Sequence, residues 1–393
     1  MSRPPLQGVK VLDFTHVIAG PYCTMMLADM GADVVKVERP EVGDDLRHVG
    51  RYAGREEHED YFHTVNRRKR SVVLDLSTPG DLAIAYRLAE AADVAVLNFA
   101  PATSQRLGIG PAELTKRNPR LVYAAISGFG QSGPLRDSLA LDPIVQAYSG
   151  IMSATGDPDG PPMSVGAPIA DVIAGMFAAY AIVSALFEAR RSGTGAVLDV
   201  SMLESMLAVL GPRMGETLQN GRVPDRVGNE NPMRVPAGMF QTSDGKFVTL
   251  MAHDQSQWPR FCRAIGQVEW IDDPRFATMR DRVVHRALLH GLIAEKMKTG
   301  ATAREWLERF TAERIPCAPV YNYQEALEDA HVRERGLIVE LEHPVSGKIR
   351  VVGPPWKWSL PDAPLVAPPL LGNDAQSVMA DWLGLASETA VHR

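Results

Sequence analysis

Five short runs dominated by β-branched residues follow one another through the first third of the chain: VKVLDF (9–14), ADVVKVE (32–38), SVVLDL (71–76), DVAVLNF (93–99) and RLVYAAIS (120–127). Each is too apolar to face water on one side, so each reads as a strand buried on both faces. Between the third and fourth, Leu82, Ala85, Leu88, Ala89 and Ala92 share one helical face behind the start signal STPGD. Strands that alternate with helices predict βαβ units around a parallel sheet. An apolar helix from about Ile169 to Arg191 and a further strand-like segment, AVLDVSML (196–203), close this α/β block.

At 393 residues the chain exceeds what one core supports. The segment 204–228 is rich in Gly, Pro, Asn and Arg and reads as a linker. GKFVTLMA (245–252) and the amphipathic stretches SQWPRFCRAIG, RALLHGLIAEKMK and TAREWLERF then predict a smaller α+β domain over 229–320. A transition with two prolines, IPCAPVYNYQEAL, and a linker over 321–335 lead to two strands joined through SGK within 336–393. The net charge of −6 offers no basic field for nucleic acid. Cys23, Cys262 and Cys317 fit neither a disulfide framework nor a zinc pattern, and the ten histidines form no ligand pair, so no metal is expected. The N-terminus lacks an apolar leader and Gly175 and Tyr180 interrupt the longest apolar run, which predicts a cytoplasmic protein without a membrane partner.

GFGQSG (128–133) matches a dinucleotide fingerprint, but it follows the fifth strand and opens no helix, so a tight glycine loop explains it better. The basic run NRRKR (66–70) reads first as a solvated loop and second as a holder of an anionic ligand. Ligands of open α/β sheets gather at the carboxyl ends of strands. Arg39 after the second strand, and Asn98 and Phe99 at the end of the fourth, therefore become candidate walls of a ligand cleft. Asp171 stands at the mouth of the apolar helix. It reads either as a cap or dipole partner, or as a nucleophilic carboxylate with helix amides nearby to hold an oxyanion.

Taken together, LDFTHVIAGP, LADMGADVVKVERP, NRRKRSVVLDLSTPG, VLNFAP, YAAISGFGQSGP, IADVIAGM and GTGAVLDVSMLES, with IPCAPV, HPVSGKIRVVGPP and PPLLG near the C-terminus, resemble the family III CoA-transferases, the CaiB/BaiF-like family. The resemblance covers nearly the whole chain. It implies a large Rossmann-like domain built from both chain ends (1–203 and 336–393), an inserted small domain, and an interlocked homodimer. It also implies CoA and acyl-CoA as substrates with no permanently bound cofactor, and Asp171 as a nucleophile passing through an anhydride and an aspartyl-CoA thioester. The family positions that line the CoA site fall on His16, Val17, Ala19, Arg39, Leu74, Asn98, Phe99 and Arg106. Two departures, Ile18 and Ser77, point away from formyl-CoA:oxalate chemistry. The segments GDDLRHVGRY and YFHTVNRRKRS resemble the branch acting on succinate and hydroxymethylglutarate, which implies succinyl-CoA as donor and a short dicarboxylate as acceptor. Ile18, Arg47 and Arg70 are the candidate substrate contacts, the two arginines for a remote carboxylate. The alternative is an α-methylacyl-CoA racemase-like isomerase, against which Leu141 stands where that enzyme has a histidine base.

Overall fold

The computed structural model describes residues 3–49, 59–231 and 233–385. Residues 50–52, the end of GDDLRHVGRY, and the last eight of the chain lie outside that range. The elements of the first half are β1 (Lys10–Asp13), α1 (Ala19–Asp29), β2 (Asp33–Glu38), α2 (Asp60–Val65), β3 (Lys69–Val73), α3 (Pro79–Ala91), β4 (Val94–Leu97), α4 (Pro101–Arg106), α5 (Pro111–Arg117), β5 (Val122–Ser127), α6 (Asp142–Ser149), α7 (Ile151–Ala154), α8 (Ile169–Ser192), β6 (Ala196–Ser201) and α9 (Met202–Asn220). The second half carries β7 (Ala237–Gln241), β8 (Phe247–Met251), α10 (Trp258–Ile265), α11 (Met279–Val284), α12 (Arg286–Gly300), α13 (Ala303–Ala312), β9 (Cys317–Pro319), α14 (Tyr323–Glu328), α15 (Ala330–Glu334), β10 (Ile338–His343), β11 (Gly347–Val352) and α16 (Ala375–Leu383). They form two compact units, Met1–Ile151 with Ser164–Arg222 and Arg335–Arg393, and Met152–Met163 with Val223–Glu334.

In the first unit the six predicted strands form one parallel sheet in the order β3-β2-β1-β4-β5-β6. That is the doubly wound order, whose direction reverses between β1 and β4 and opens a crevice beyond their carboxyl ends. Both faces are covered, as the apolar runs require. Helices α1, α8 and α9 pack their buried side chains on one face, and α3, α5 and α16 pack on the other. The C-terminal helix α16 is fixed there by Val378 and by Trp382, whose indole donates to Asp33 at 2.7 Å.

The expected linker at 204–228 is largely helix. Gly211, Pro212 and Gly215 read as breakers in the sequence, yet Ser201 caps α9 by accepting from the Glu204 amide, and Met202, Ser205 and Met206 are buried. Packing of that face outweighs the local propensity. The expected linker at 321–335 likewise carries α14 and α15, and residues 152–163 go with the second unit. That unit is a three-stranded antiparallel sheet, β7-β8-β9, closed over a core of Trp258, Phe261, Phe276, Trp306 and Phe310.

Helix α8 spans 24 residues and contains an 18-residue stretch with a mean hydropathy of 2.0, long and apolar enough on composition alone to cross a membrane. Its inner face is built from small residues, Ala170, Ala174, Gly175, Ala178 and Ala179, followed by Ile182, Leu186 and Ala189. Small residues let α1 approach closely: a Cβ added to Gly175 would lie 2.6 Å from the Ala19 carbonyl oxygen. We therefore expect Gly175→Ala to cost about 1–3 kcal/mol through overpacking. The control Gly291→Ala, in open space on α12, should gain about 0.4–1 kcal/mol. Denaturant midpoints of the two variants check this, and a neutral Gly175→Ala would show that the close approach is not structural.

Candidate active site

The crevice is built on buried charge. Asp13 ends β1 inside the molecule, and its carboxylate accepts from the Thr15 amide at 2.8 Å, from the Thr24 hydroxyl at 2.7 Å, and pairs with Lys69 at 3.1 Å. Lys36 on β2 donates to the Thr15 carbonyl at 2.6 Å and pairs with Asp44 at 2.8 Å. Asp44 in turn accepts from the Val17 amide at 3.1 Å. Charges removed from water persist only with such partners. Burial depresses Lys69 to about 8 against the pull of Asp13. Burial works against the Lys36 charge too, yet Asp44, Asp13 and Glu38 together hold its ammonium above the ordinary lysine value. The result is a pinned turn between β1 and α1. Val17 in that turn has φ of 65°, a conformation costly for a β-branched residue and held only where surroundings over-determine it.

Across the switch point, Asn98 reads the same turn. Its amide accepts from the His16 N–H at 3.0 Å and donates to the His16 carbonyl at 2.7 Å. Phe99 meets the His16 ring edge-on at 4.9 Å. Beside them lies a cleft of about 230 Å³ lined by His16, Arg39, Leu74, Ser77 and Phe99 among others. Burial holds the His16 imidazole below its ordinary value, so it is neutral at pH 7. Arg39 stands at the rim, 57% exposed and paired with Asp45. Arg106, at the exposed end of α4, precedes the cleft residue Leu107.

Asp171 lies in the first turn of α8, beside the first turn of α1. The Ala19 amide, at the start of α1, lies close enough to its carboxylate to favour the charged form. A second carboxylate, Asp142 on α6, occupies the amides of α8 itself, accepting from Ala170 at 2.7 Å and Asp171 at 3.3 Å. Burial, reinforced by the Asp142 charge and opposed by the Ala19 amide, raises Asp171 to about 7. The site thus holds a carboxylate of unusual basicity close to the start of α1, the helix that follows the cleft residue His16 in the chain.

Other expectations fall elsewhere. Arg47 is 2% exposed, doubly bonded to Glu38 and bonded to Glu59, with its guanidinium on the Phe62 ring. Arg70 pairs with Asp33 and Asp381 at the opposite, amino end of the strands. Neither offers a free guanidinium for a substrate carboxylate. The rest of the basic run is also stitched inward: Arg67 pairs with Asp29, Arg68 donates to the Ala28 carbonyl and Lys69 meets Asp13. A strand needs its cations neutralised when both its faces are covered, so the solvated-loop reading fails. Ile18 is the N-cap of α1 and packs on a small cluster of Leu46, Phe62 and Val65. Sequence reasoning missed Asp142, Gln146, Lys36 and Asp44 as site residues. Lys36 sat inside an apolar strand, which is a legible signal for a buried pair; the others left none. In the GFGQSG loop Gly130 and Gly133 have φ of 91° and 85°, as a tight turn demands.

Comparison with known proteins fits this geometry. The family model for CoA-transferase family III matches residues 6–375. A succinate–glutarate CoA-transferase of Agrobacterium fabrum is 40% identical over 346 residues, 86% of each chain. An acetyl-CoA:oxalate CoA-transferase of Acetobacter aceti is 40% identical over 363 residues, 92% of this chain and 91% of its own. A crystal structure of a CaiB/BaiF family protein from Brucella suis superposes with a TM-score of 0.88 at 31% identity, covering 97% of this chain and all of its own. A matching motif order, a doubly wound sheet and near-complete coverage by named transferases lead to one conclusion: the chain belongs to CoA-transferase family III and is a CoA-transferase.

Proposed function

We propose that this enzyme moves CoA from a donor thioester, succinyl-CoA foremost, to a short dicarboxylic acid through covalent intermediates on Asp171. The observations that carry the reading are the Asp171 carboxylate in the first turn of α8, close to the Ala19 amide that opens α1, and a cleft lined by His16, three residues before that amide. In that cleft His16, Leu74 and Phe99 would line the CoA, with Val17 and Ala19 beneath it. Asn98 holds the turn they share, and Arg39 and Arg106 at the rim would meet phosphates, which suits their fixed donor forks. The carboxylate attacks the thioester carbonyl, forming a mixed anhydride and CoA thiolate. The thiolate attacks the aspartyl carbonyl, and the donor acid leaves. An acceptor carboxylate then reverses both steps. Amides at the start of α1 receive the oxyanion of each tetrahedral intermediate. Retention of CoA makes each thiolate return effectively unimolecular, and apolar surroundings keep water from the anhydride.

The dicarboxylate reading rests on the two relatives, whose names speak of succinate, glutarate and oxalate. The oxalate enzyme is as similar as the glutarate one, so Ile18 does not by itself remove oxalate from the panel. Leu141, 66% exposed and without a titratable group, supports transfer over α-proton exchange. A homodimer is supported by the apolar residues that α8 leaves outside the fold, Phe177, Tyr180 and Phe187, since single chains rarely expose such patches.

Asp171→Asn should abolish transfer, at least about 10³-fold, while leaving CoA binding intact; turnover near the wild-type rate would end the nucleophile reading. In wild-type enzyme kcat/KM should rise with pH through about 7, where Asp171 loses its proton. The same group fixes a stability trend. Its folded value lies above the unfolded value of 3.8, so the native state holds the extra proton between these values and loses stability as pH rises through about 7. Asp171→Asn should therefore match wild type in thermal midpoint near pH 4 and exceed it at pH 8; equal midpoints at pH 8 would contradict the buried carboxylate.

For substrate, kcat/KM for succinate, glutarate, itaconate and oxalate should exceed that for butyrate and carnitine by at least about tenfold, the worth of one good ion pair. The opposite order excludes a dicarboxylate enzyme. In deuterium oxide a 2-methylacyl-CoA should keep its α-proton; rapid uptake of label would favour the racemase.

A further inference from the structure

The Asp142 carboxylate is 7% exposed and faces three donors: the amides of Ala170 and Asp171, and the side-chain amide of Gln146. Gln146, 1% exposed, is itself tied down, accepting from the Val165 amide at 2.9 Å. The loop before α8, its first turn and α6 are thus locked through one buried charge. A remote carboxylate is an unusual cap for a helix whose own N-cap, Pro168, has no side-chain acceptor.

We propose that Asp142 is a positioning residue that makes Asp171 the poorer leaving group of the mixed anhydride, so that CoA is parked on the enzyme between the departure of one acid and the arrival of the next. The inference rests on the reading of Asp171 as the nucleophile. In the anhydride two carbonyl carbons share one bridging oxygen. Thiolate attack on the aspartyl carbon forms the C–S bond and breaks the bond from that carbon to the bridging oxygen, and the electron pair leaves on the donor carboxylate. Attack on the acyl carbon instead returns the pair to the Asp171 oxygen and regenerates the donor thioester. The bond that breaks is the one whose carboxylate carries the charge at lower cost. Asp142 has already taken the α8 amides that would otherwise steady an Asp171 anion, and adds its own negative charge at the helix mouth. Its carboxylate accepts from the Asp171 amide itself, so the two acids stand together at the helix mouth. The other titratable groups of the elements packed on α8 include Tyr22 and Cys23 on α1, Tyr148 on α6, Tyr123 on β5, Asp199 on β6, and Glu204, Arg213 and Glu216 on α9.

The test mixes enzyme with one equivalent of succinyl-CoA and no acceptor, and reads the fraction of chains carrying CoA by intact mass, alongside a carbon-13 titration of the Asp171 carboxyl. Asp142→Asn, isosteric but uncharged, should lower the CoA-bearing fraction at least fivefold and move the titration at least one pH unit down. The KM for succinyl-CoA should stay within twofold, and Asp142→Glu should restore both readouts in part. An unchanged adduct fraction and titration in a folded Asp142→Asn would overturn the proposal. If that variant does not fold, Gln146→Leu, which frees Asp142 from its lock, should lower the fraction about twofold, and no change there would overturn it equally. Transfer by Asp171→Asn would instead bring down the nucleophile reading, while the titration would still decide whether Asp142 acts on Asp171.

Discussion

The close approach of α1 and α8 is the contact on which the site depends. It exists because α8 presents alanines and Gly175 where a larger side chain would meet the backbone of α1. Through it the carboxylate of one helix reaches the amino end of another. Two effects of opposite sign then act on Asp171: burial and a neighbouring anion destabilise its charge, while the nearby Ala19 amide steadies it. The balance leaves a carboxylate more basic than an exposed one and still partly ionised near neutrality.

That contact is useful only because the start of α1 is immobile. Asp13, Lys36, Asp44 and Lys69 lie under the β1–α1 turn with side chains removed from water. Such pairs contribute little net stability, since desolvation cancels much of the attraction, but their geometry is specific. Here the specificity has a visible product, the φ of 65° at Val17 in the turn that leads into α1. Asn98 reinforces the same turn from β4 by holding both backbone groups of His16. The residue at the switch point therefore organises the cleft wall through the backbone.

The same economy of charge explains why Arg47 and Arg70 are engaged inside the protein. Glu38 lies on a buried strand and needs a guanidinium, which Arg47 supplies. Asp33 is shared between Arg70 and the indole of Trp382, a contact that fastens the C-terminal helix to the sheet. Cations that look available in a basic segment are consumed by acids more than thirty residues away in the case of Arg70 and Asp33, and local sequence carries no record of that pairing.

What the sequence determined by itself was the layer architecture. Apolar β-branched runs separated by helical periodicity admit little besides a parallel sheet covered on both faces, and all six strands and the long apolar helix occur in the expected order, the third strand shifted from 71–76 to Lys69–Val73. It also supplied the motif order that marks the family, and with it Asp171, His16, Arg39, Leu74 and Phe99, of which the last four line one cleft. Tertiary structure alone decided the rest. It turned 202–220 into a helix despite Pro212 and two glycines, because a buried face outweighs propensity. It drew the basic run into the sheet, and it brought Asp142 within hydrogen-bond reach of a helix that begins 27 residues later. Charge pairing and capping across such separations depend on which elements become neighbours, and that is fixed only when the whole core closes.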